Sequence, residues 1–119
     1  MKKKINKYDF LIIGGGLIGS IAALALKQKN LKALVLEKNR KISDHRTLAV
    51  NSNSKNFLTS LGLWSHFNKK PENIDKIIIK DYVNHDPLVF ENHKPMGYVA
   101  YNQEILKKAR SKLLKSHSI

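Results

Sequence analysis

The sequence predicts an α/β chain that opens with a parallel strand–helix–strand unit. Three observations in residues 9–37 predict it. Phe10-Leu11-Ile12-Ile13 is an unbroken apolar run after Asp9, as expected of a parallel strand buried on both faces. Gly14-Gly15-Gly16-Leu17-Ile18-Gly19 follows at once and leads into an Ala/Leu-rich helix ending near Leu26. A polar break, Lys27 to Asn30, then precedes a second apolar run, Ala33 to Leu36, closed by the acid Glu37. A Gly-x-Gly-x-x-Gly turn alone is a weak signal. Between two strands and followed by a terminal acid, it is the dinucleotide-binding fingerprint of a Rossmann-like unit.

Each part of the fingerprint has a physical task. Gly14 permits the tight turn, Gly16 lets a pyrophosphate approach the backbone, and Gly19 lets the helix pack closely on its strand. The free N–H groups near Gly16, Leu17 and Ile18 are expected to hold phosphates, aided by the helix dipole. Glu37 is expected to accept hydrogen bonds from ribose hydroxyls. Its charge repels a 2′-phosphate, which argues against NADP in this site.

The stretch Phe10 to Leu26 behind Lys2-Lys3-Lys4 also has the look of a signal peptide or membrane anchor, with Ala23-Leu24-Ala25 as a cleavage-like triplet. Gly15 and Gly19 even form a Gly-x-x-x-Gly pair. The glycines, each costing about 1 kcal/mol against Ala in a helix, argue against that reading. So do the edge position of Asp9 and a length short of the roughly 20 residues of a span.

Composition bounds the remainder. At 119 residues the chain is one domain's worth. It has no cysteine, which excludes disulfides, thiolate catalysis and Cys-based metal sites and fits a reducing, cytoplasmic setting. The histidines 45, 66, 85, 93 and 117 lack ligand-like spacing. The net charge of +13 raises nucleic acid or an anionic membrane surface as partners. The excess is almost all lysine, with only Arg40, Arg46 and Arg110 as arginines, whereas nucleic-acid readers lean on arginine. The charge therefore reads as A/T-rich coding, with peripheral contact to an inner membrane the more plausible use of it.

Further along, Lys38 to Ile42 reads as loop, and Arg46 follows in Ser43 to Val50, either near a cofactor phosphate or as a solvated loop arginine. Ser52 to Leu61 is expected as a helix capped by Ser52 or Ser54 and stopped by Gly62, with Leu63 folding back. Trp64 and Phe67 read as core anchors. Ile74 to Tyr82, Leu88 to Glu91 and Gly97 to Tyr101 read as three strands of an antiparallel meander. Its turns fall at Asn84-His85-Asp86-Pro87 and Asn92-His93-Lys94-Pro95. Asn102 is expected to cap a last helix from Gln103 to about Leu114, with Ile105, Leu106, Ala109 and Leu113 on one face. The tail 115–119 carries no signal. The expected division is 1–70, a partial dinucleotide-binding domain, and 71–119, the start of a substrate-side unit.

In order along the chain, these motifs resemble one family, the FAD-dependent aromatic hydroxylases of ubiquinone biosynthesis, relatives of para-hydroxybenzoate hydroxylase. The resemblance rests on Asp9 to Gly16 with Glu37, on Asp44-His45-Arg46-Thr47-Leu48-Ala49, and on Leu61-Gly62-Leu63-Trp64. It continues through Ile77 to Asp81 and Met96-Gly97-Tyr98-Val99 with Asn102, to about Ala109. It implies the N-terminal part of a Rossmann-like FAD-binding domain, then a short antiparallel meander and a helix. Gly14, Gly16 and Gly19 would then bind the FAD pyrophosphate, Glu37 the ribose, and Arg46 the phosphate or flavin side, while Gln103 opens a helix that approaches FAD. NAD(P)H would be the electron donor and a polyprenyl phenol the substrate.

Members of that family are longer and carry Asp-Gly and Gly-Asp segments downstream; neither dipeptide occurs here. The expectation is an N-terminal fragment whose family-like reading ends near Ala109-Arg110, with a second chain supplying the missing half. The alternatives are a non-catalytic fragment with at most weak ADP binding and a basic nucleic-acid or membrane-surface module. No metal site and no catalytic acid or base is identified.

Overall fold

The computed structural model describes residues 5–83 and 85–119. The Lys2–Lys4 triplet and the Asn84 position of one expected turn lie outside the described residues. The chain runs β1 (Phe10–Ile13), α1 (Leu17–Gln28), β2 (Ala33–Leu36), β3 (Thr47–Val50), α2 (Ser52–Ser60), β4 (Glu72–Ile74), β5 (Lys76–Ile79), β6 (Leu88–Glu91), β7 (Gly97–Tyr101) and α3 (Asn102–Lys115). It is the α/β arrangement expected, with β1 and β2 parallel and in register from Phe10–Ala33 to Ile13–Leu36.

The strand pairing beyond β2 differs from a simple meander. β5 and β6 form an antiparallel hairpin. β7 leaves that hairpin and returns between β3 and β4, antiparallel to both. The long strand expected over 74–82 is instead two short ones separated by Asp75. Thr47–Val50, assigned no structure in the sequence, is a strand because β7 offers it an edge.

The core explains this return. β7 buries Gly97 and Ala100, and α3 buries Ile105, Ala109 and Leu113, each completely shielded. These three lie on one stripe at i, i+4, i+8. They join Ala23 and Leu24 of α1, Val35 of β2, Val50 of β3 and Leu58, Leu61 and Leu63 around α2 in one cluster. Elements from both sides of residue 70 thus share a single core. Trp64 packs edge-on to Phe67 at 5.3 Å and to Tyr98 at 5.7 Å, an anchor as expected.

All three helices stop in the same way. In α2, Gly62 takes φ +72°; its N–H bonds to Thr59 O and that of Leu63 to Leu58 O, a Schellman motif. Asn30 and His117 adopt the same left-handed conformation after α1 and α3, with matching bonds from Leu31 to Leu26 and from Ser118 to Leu113. The C-terminal tail, which carries no sequence signal, is therefore fixed: Ser118 O also accepts a bond from Val35 N in β2. The helix starts depart from expectation too. Asn51, not Ser52 or Ser54, caps α2, accepting from Ser54 N at 2.8 Å. Asn102 does not cap α3; it is the first helical residue and its amide turns to Asp44 instead.

β1 is not buried on both faces. Phe10, Leu11 and Ile13 are exposed because β2 is β1's sole sheet partner among the described residues. All eight residues of the β5–β6 hairpin are also exposed. No helix among the described residues is long and apolar enough to cross a membrane.

The core assignment makes a contrast testable by denaturant unfolding. Ile105→Ala should cost about 2–5 kcal/mol through the cavity it leaves. Val89→Ala, on the open hairpin, should stay within about 0.5 kcal/mol.

Candidate functional site

The Gly-rich turn is built by contacts that only glycine allows. Gly14 sits at φ +105°, closed to ordinary side chains, and donates its N–H to Leu36 O at 2.8 Å. A Cβ on Gly19 would overlap the Gly14 carbonyl oxygen, so helix and strand meet backbone to backbone. Gly15, given no task in the sequence reading, is also constrained: a Cβ there would lie 2.8 Å from Glu37 Cβ.

Gly16 differs from these. It is the N-cap of α1 in extended backbone, without a side-chain cap, and a Cβ built on it meets no described atom within 4 Å. Its space is open to a ligand. Among the described residues, no acceptor takes the N–H groups of Gly16, Leu17 and Ile18, and no acidic residue stands in the first turn. The positive end of a 12-residue helix thus carries free donors that no described group covers.

Glu37 lies beside this turn. Its Oε2 accepts from Gly15 N at 2.7 Å and its Oε1 from Asn39 N at 2.9 Å. These two backbone donors, with the Arg110 guanidinium 3.7 Å away, hold the carboxyl below the usual carboxylate range. Each oxygen keeps lone-pair capacity for a further donor.

Arg46 is presented rather than buried. Its Nε and Nη2 form a two-point pair with Asp44 at 3.0 and 2.9 Å, and its own N–H also donates to Asp44. The side chain remains 80% exposed, with Asp44 fixed beneath it at 17%. The Arg46 side chain and N–H, then the Asn102 amide at 3.1 Å, pull the Asp44 carboxyl far below its ordinary value. Asn102 Oδ1 is buried with no partner among the described residues. A cavity of about 700 Å³, lined by Glu37, Arg40, Asp44, Leu106 and Arg110 among others, connects the Glu37 and Asp44 positions. Glu37 therefore lines the same hollow as Asp44, the residue that holds Arg46.

Arg110 is the residue that sequence reading missed. With Ala109 it was expected only to mark where the family-like reading ends. α3 runs to Lys115, close to the expected end near Leu114, and the Arg110 side chain is only 12% exposed. It donates to Gly15 O from Nε at 3.0 Å and Nη2 at 2.8 Å, and from Nη1 to Asn39 O at 2.8 Å and Arg40 O at 3.2 Å. Its only signal in the sequence was being a lone arginine next to an apolar stripe.

Comparison with known proteins gives the family. The FAD binding domain family model matches residues 7–117. The chain belongs to the FAD binding domain family. An uncharacterized protein of Synechocystis sp., slr1300, is 28% identical over 108 residues, covering 85% of this chain and 26% of the relative. Among solved structures, the flavin-dependent brominase Bmp2 superposes with a TM-score of 0.68 at 18% identity, over 91% of this chain and 27% of that one. The peptidyl tryptophan dihydroxylase QhpG gives 0.57 at 15% identity, over 94% and 24%. The chain spans about a quarter of the length of these proteins.

FAD is the cofactor of this domain family, and the residues present suit its ADP portion. The open space at Gly16 and the free N–H groups of α1 suit a pyrophosphate, and the carboxylate beside them suits a ribose diol.

The depressed carboxyls give a pH prediction. Stability held through Asp44 and Glu37 is present above their ordinary values of roughly 3.9 and 4.3, and is lost as pH falls toward the lower folded values. A carboxyl-carbon NMR titration should place both midpoints below those references. Arg46→Gln should move the Asp44 midpoint upward and leave that of Glu37 unchanged.

Proposed function

We propose that this chain is the FAD-binding, N-terminal part of a flavin-dependent monooxygenase, an oxidoreductase that hydroxylates a polyprenyl phenol in ubiquinone biosynthesis. The observation that carries the reading is the uncovered N-terminus of α1 at Gly16, next to the Gly15 N–H that Glu37 holds.

In this reading Gly14 and Gly19 shape the turn, while the N–H groups of Gly16, Leu17 and Ile18 bind the pyrophosphate. The free lone pairs of Glu37 accept the ribose hydroxyls. Arg46, aimed by Asp44, meets a phosphate or the flavin side. The flavin would supply the redox chemistry when bound, with NAD(P)H as reductant and molecular oxygen giving one atom to the ring and the other to water. No residue here is assigned to proton transfer, so the chain's contribution is binding and orientation. The ordered set Asp44-x-Arg46, Leu61-Gly62-Leu63-Trp64 and Met96-Gly97-Tyr98-Val99 supports the aromatic-hydroxylase assignment.

The rest of such an enzyme, on this reading, packs against this domain as its partner, on the same chain or on a second one. The exposed edge and face of β1 and the exposed β5–β6 hairpin, the start of the substrate-side unit, support that partner. The +13 charge supports peripheral attachment to an anionic inner membrane from the cytoplasmic side, at about 1 kcal/mol per well-placed lysine.

A glycine pair tests the site. Gly16→Ala should leave the unfolding midpoint nearly unchanged, since its Cβ points into open space, yet weaken ADP and FAD binding at least about tenfold by calorimetry. Gly19→Ala should lower stability itself, since its Cβ collides with backbone. Equal ADP affinity in wild type and Gly16→Ala would remove α1 from the site. For the full activity, co-purification with the product of an adjacent reading frame should give a yellow complex. That complex should oxidise NADH or NADPH in the presence of a polyprenyl phenol and release the hydroxylated ring. A colourless pair, or one inert toward the phenol, defeats the assignment.

A further inference from the structure

We infer that Arg110 is a positioning residue for the ADP portion of the cofactor: it bridges the Gly-rich turn to the loop after β2 and so fixes the geometry of the cradle. The inference rests on the FAD-binding reading above. It adds a residue that lies 91 positions beyond Gly19, outside the strand–helix–strand fingerprint.

The argument is one of connectivity. The Gly15 N–H, in the peptide shared with Gly14, is held by Glu37 Oε2 at 2.7 Å. On the carbonyl side of Gly15, two Arg110 nitrogens donate to the oxygen, at 2.8 and 3.0 Å, beside Ser20 Oγ at 3.2 Å. The two peptides that meet at the Gly15 Cα are thus each pinned, and rotating either one breaks bonds. The third guanidinium nitrogen reaches the carbonyls of Asn39 and Arg40, in the loop whose Asn39 N–H orients the other oxygen of Glu37. Turn, acid and loop are thereby tied into one body through a single planar group.

Gly15 directly precedes Gly16, so its peptide plane sets where the Gly16 N–H points. Arg110 acts through this plane and through Glu37. A guanidinium presents donors in a fixed planar fork; a lysine ammonium is a point donor and cannot span both sets of carbonyls. Arg110 itself is packed on a helix locked into the core by Ala109 and Leu113 on either side of it in sequence, both fully buried. The bridge is rigid at its root.

The test uses the 119-residue chain and two readouts. Amide hydrogen exchange without ligand comes first. Arg110→Gln should raise exchange at Gly15 and Asn39 at least about fivefold, leaving Val35 and Ala100 in the core as in wild type. Unchanged exchange at Gly15 and Asn39 overturns the inference. Calorimetry with ADP and with FAD comes second. Affinity for both should fall by the same factor, about tenfold or more, because the bridge serves the half they share. A variant that binds ADP like wild type overturns the inference, as does Arg110→Lys with wild-type affinity, since that would reduce the bridge to a nearby positive charge. If Arg110→Gln does not fold, Arg110→Lys carries both comparisons, with loosened exchange at Gly15 and Asn39 expected. Should wild type bind neither ligand, the FAD-binding reading of the isolated chain fails, and the exchange result alone decides whether Arg110 fixes the turn.

Discussion

The contact between α1 and β1 at Gly19 and Gly14 sets the geometry on which the rest depends. Without side chains at these two positions, the helix axis approaches the strand until backbone meets backbone. That closeness aims the first-turn N–H groups past the end of β1, beside the end of β2 where Glu37 stands. Parallel pairing from Phe10–Ala33 to Ile13–Leu36 sets that adjacency, and the bond from Gly14 N to Leu36 O closes it. A carboxylate next to a helix N-terminus would ordinarily compete for its free donors. Here Glu37 instead takes the N–H of Gly15, one residue before the cap, and leaves those of Gly16 to Ile18 clear.

The fingerprint was legible because its logic is local. Residues 9–37 specify a turn, a helix and two strands through glycines and apolar runs, and structure and family agree. Gly62 was legible for the same reason. Asn30 and His117 perform the same stop but were not read, since their left-handed conformation comes from the helix-end hydrogen bonds rather than from the freedom of glycine. The apolar runs of β5, β6 and β7 were visible, but their partners were not, and β4, apart from Ile74, was not read. Alternation fixes that a segment is a strand, whereas the choice of edge depends on what else must be buried. β7 abandons the hairpin because Ala100 and the following Ile105 reach the common core only from a place between β3 and β4.

Arg110 was illegible for a deeper reason. In sequence it is a charged residue beside an apolar stripe, and the plain reading is an interruption. Its partners are four main-chain carbonyl contacts and one carboxylate, and carbonyl acceptors carry no residue signature. Asn102 was misread for a related reason: Asn before an amphipathic stretch signals a cap, but Asp44 offered its amide a charged acceptor at 3.1 Å. The exposed faces of β1 and of the β5–β6 hairpin belong to a chain that spans about a quarter of its relatives.

These two corrections concern the same helix. Asn102 opens α3 and holds Asp44, which aims Arg46; Arg110 lies eight residues on and holds Gly15, Asn39 and Arg40. At 1.5 Å per residue these two anchor points are about 12 Å apart along the axis. Between and beyond them Ile105, Ala109 and Leu113 are completely buried, so α3 cannot slide without opening the core. The separation between the Glu37 end and the Asp44 end of the hollow is therefore fixed by a helix, whereas the loop 38–46 that carries Asp44 has no regular structure of its own. A site whose two charged ends sit on a loop needs such a ruler from outside it. The apolar stripe of α3 provides it by making one rigid element answer to the core on one side and to the cradle on the other.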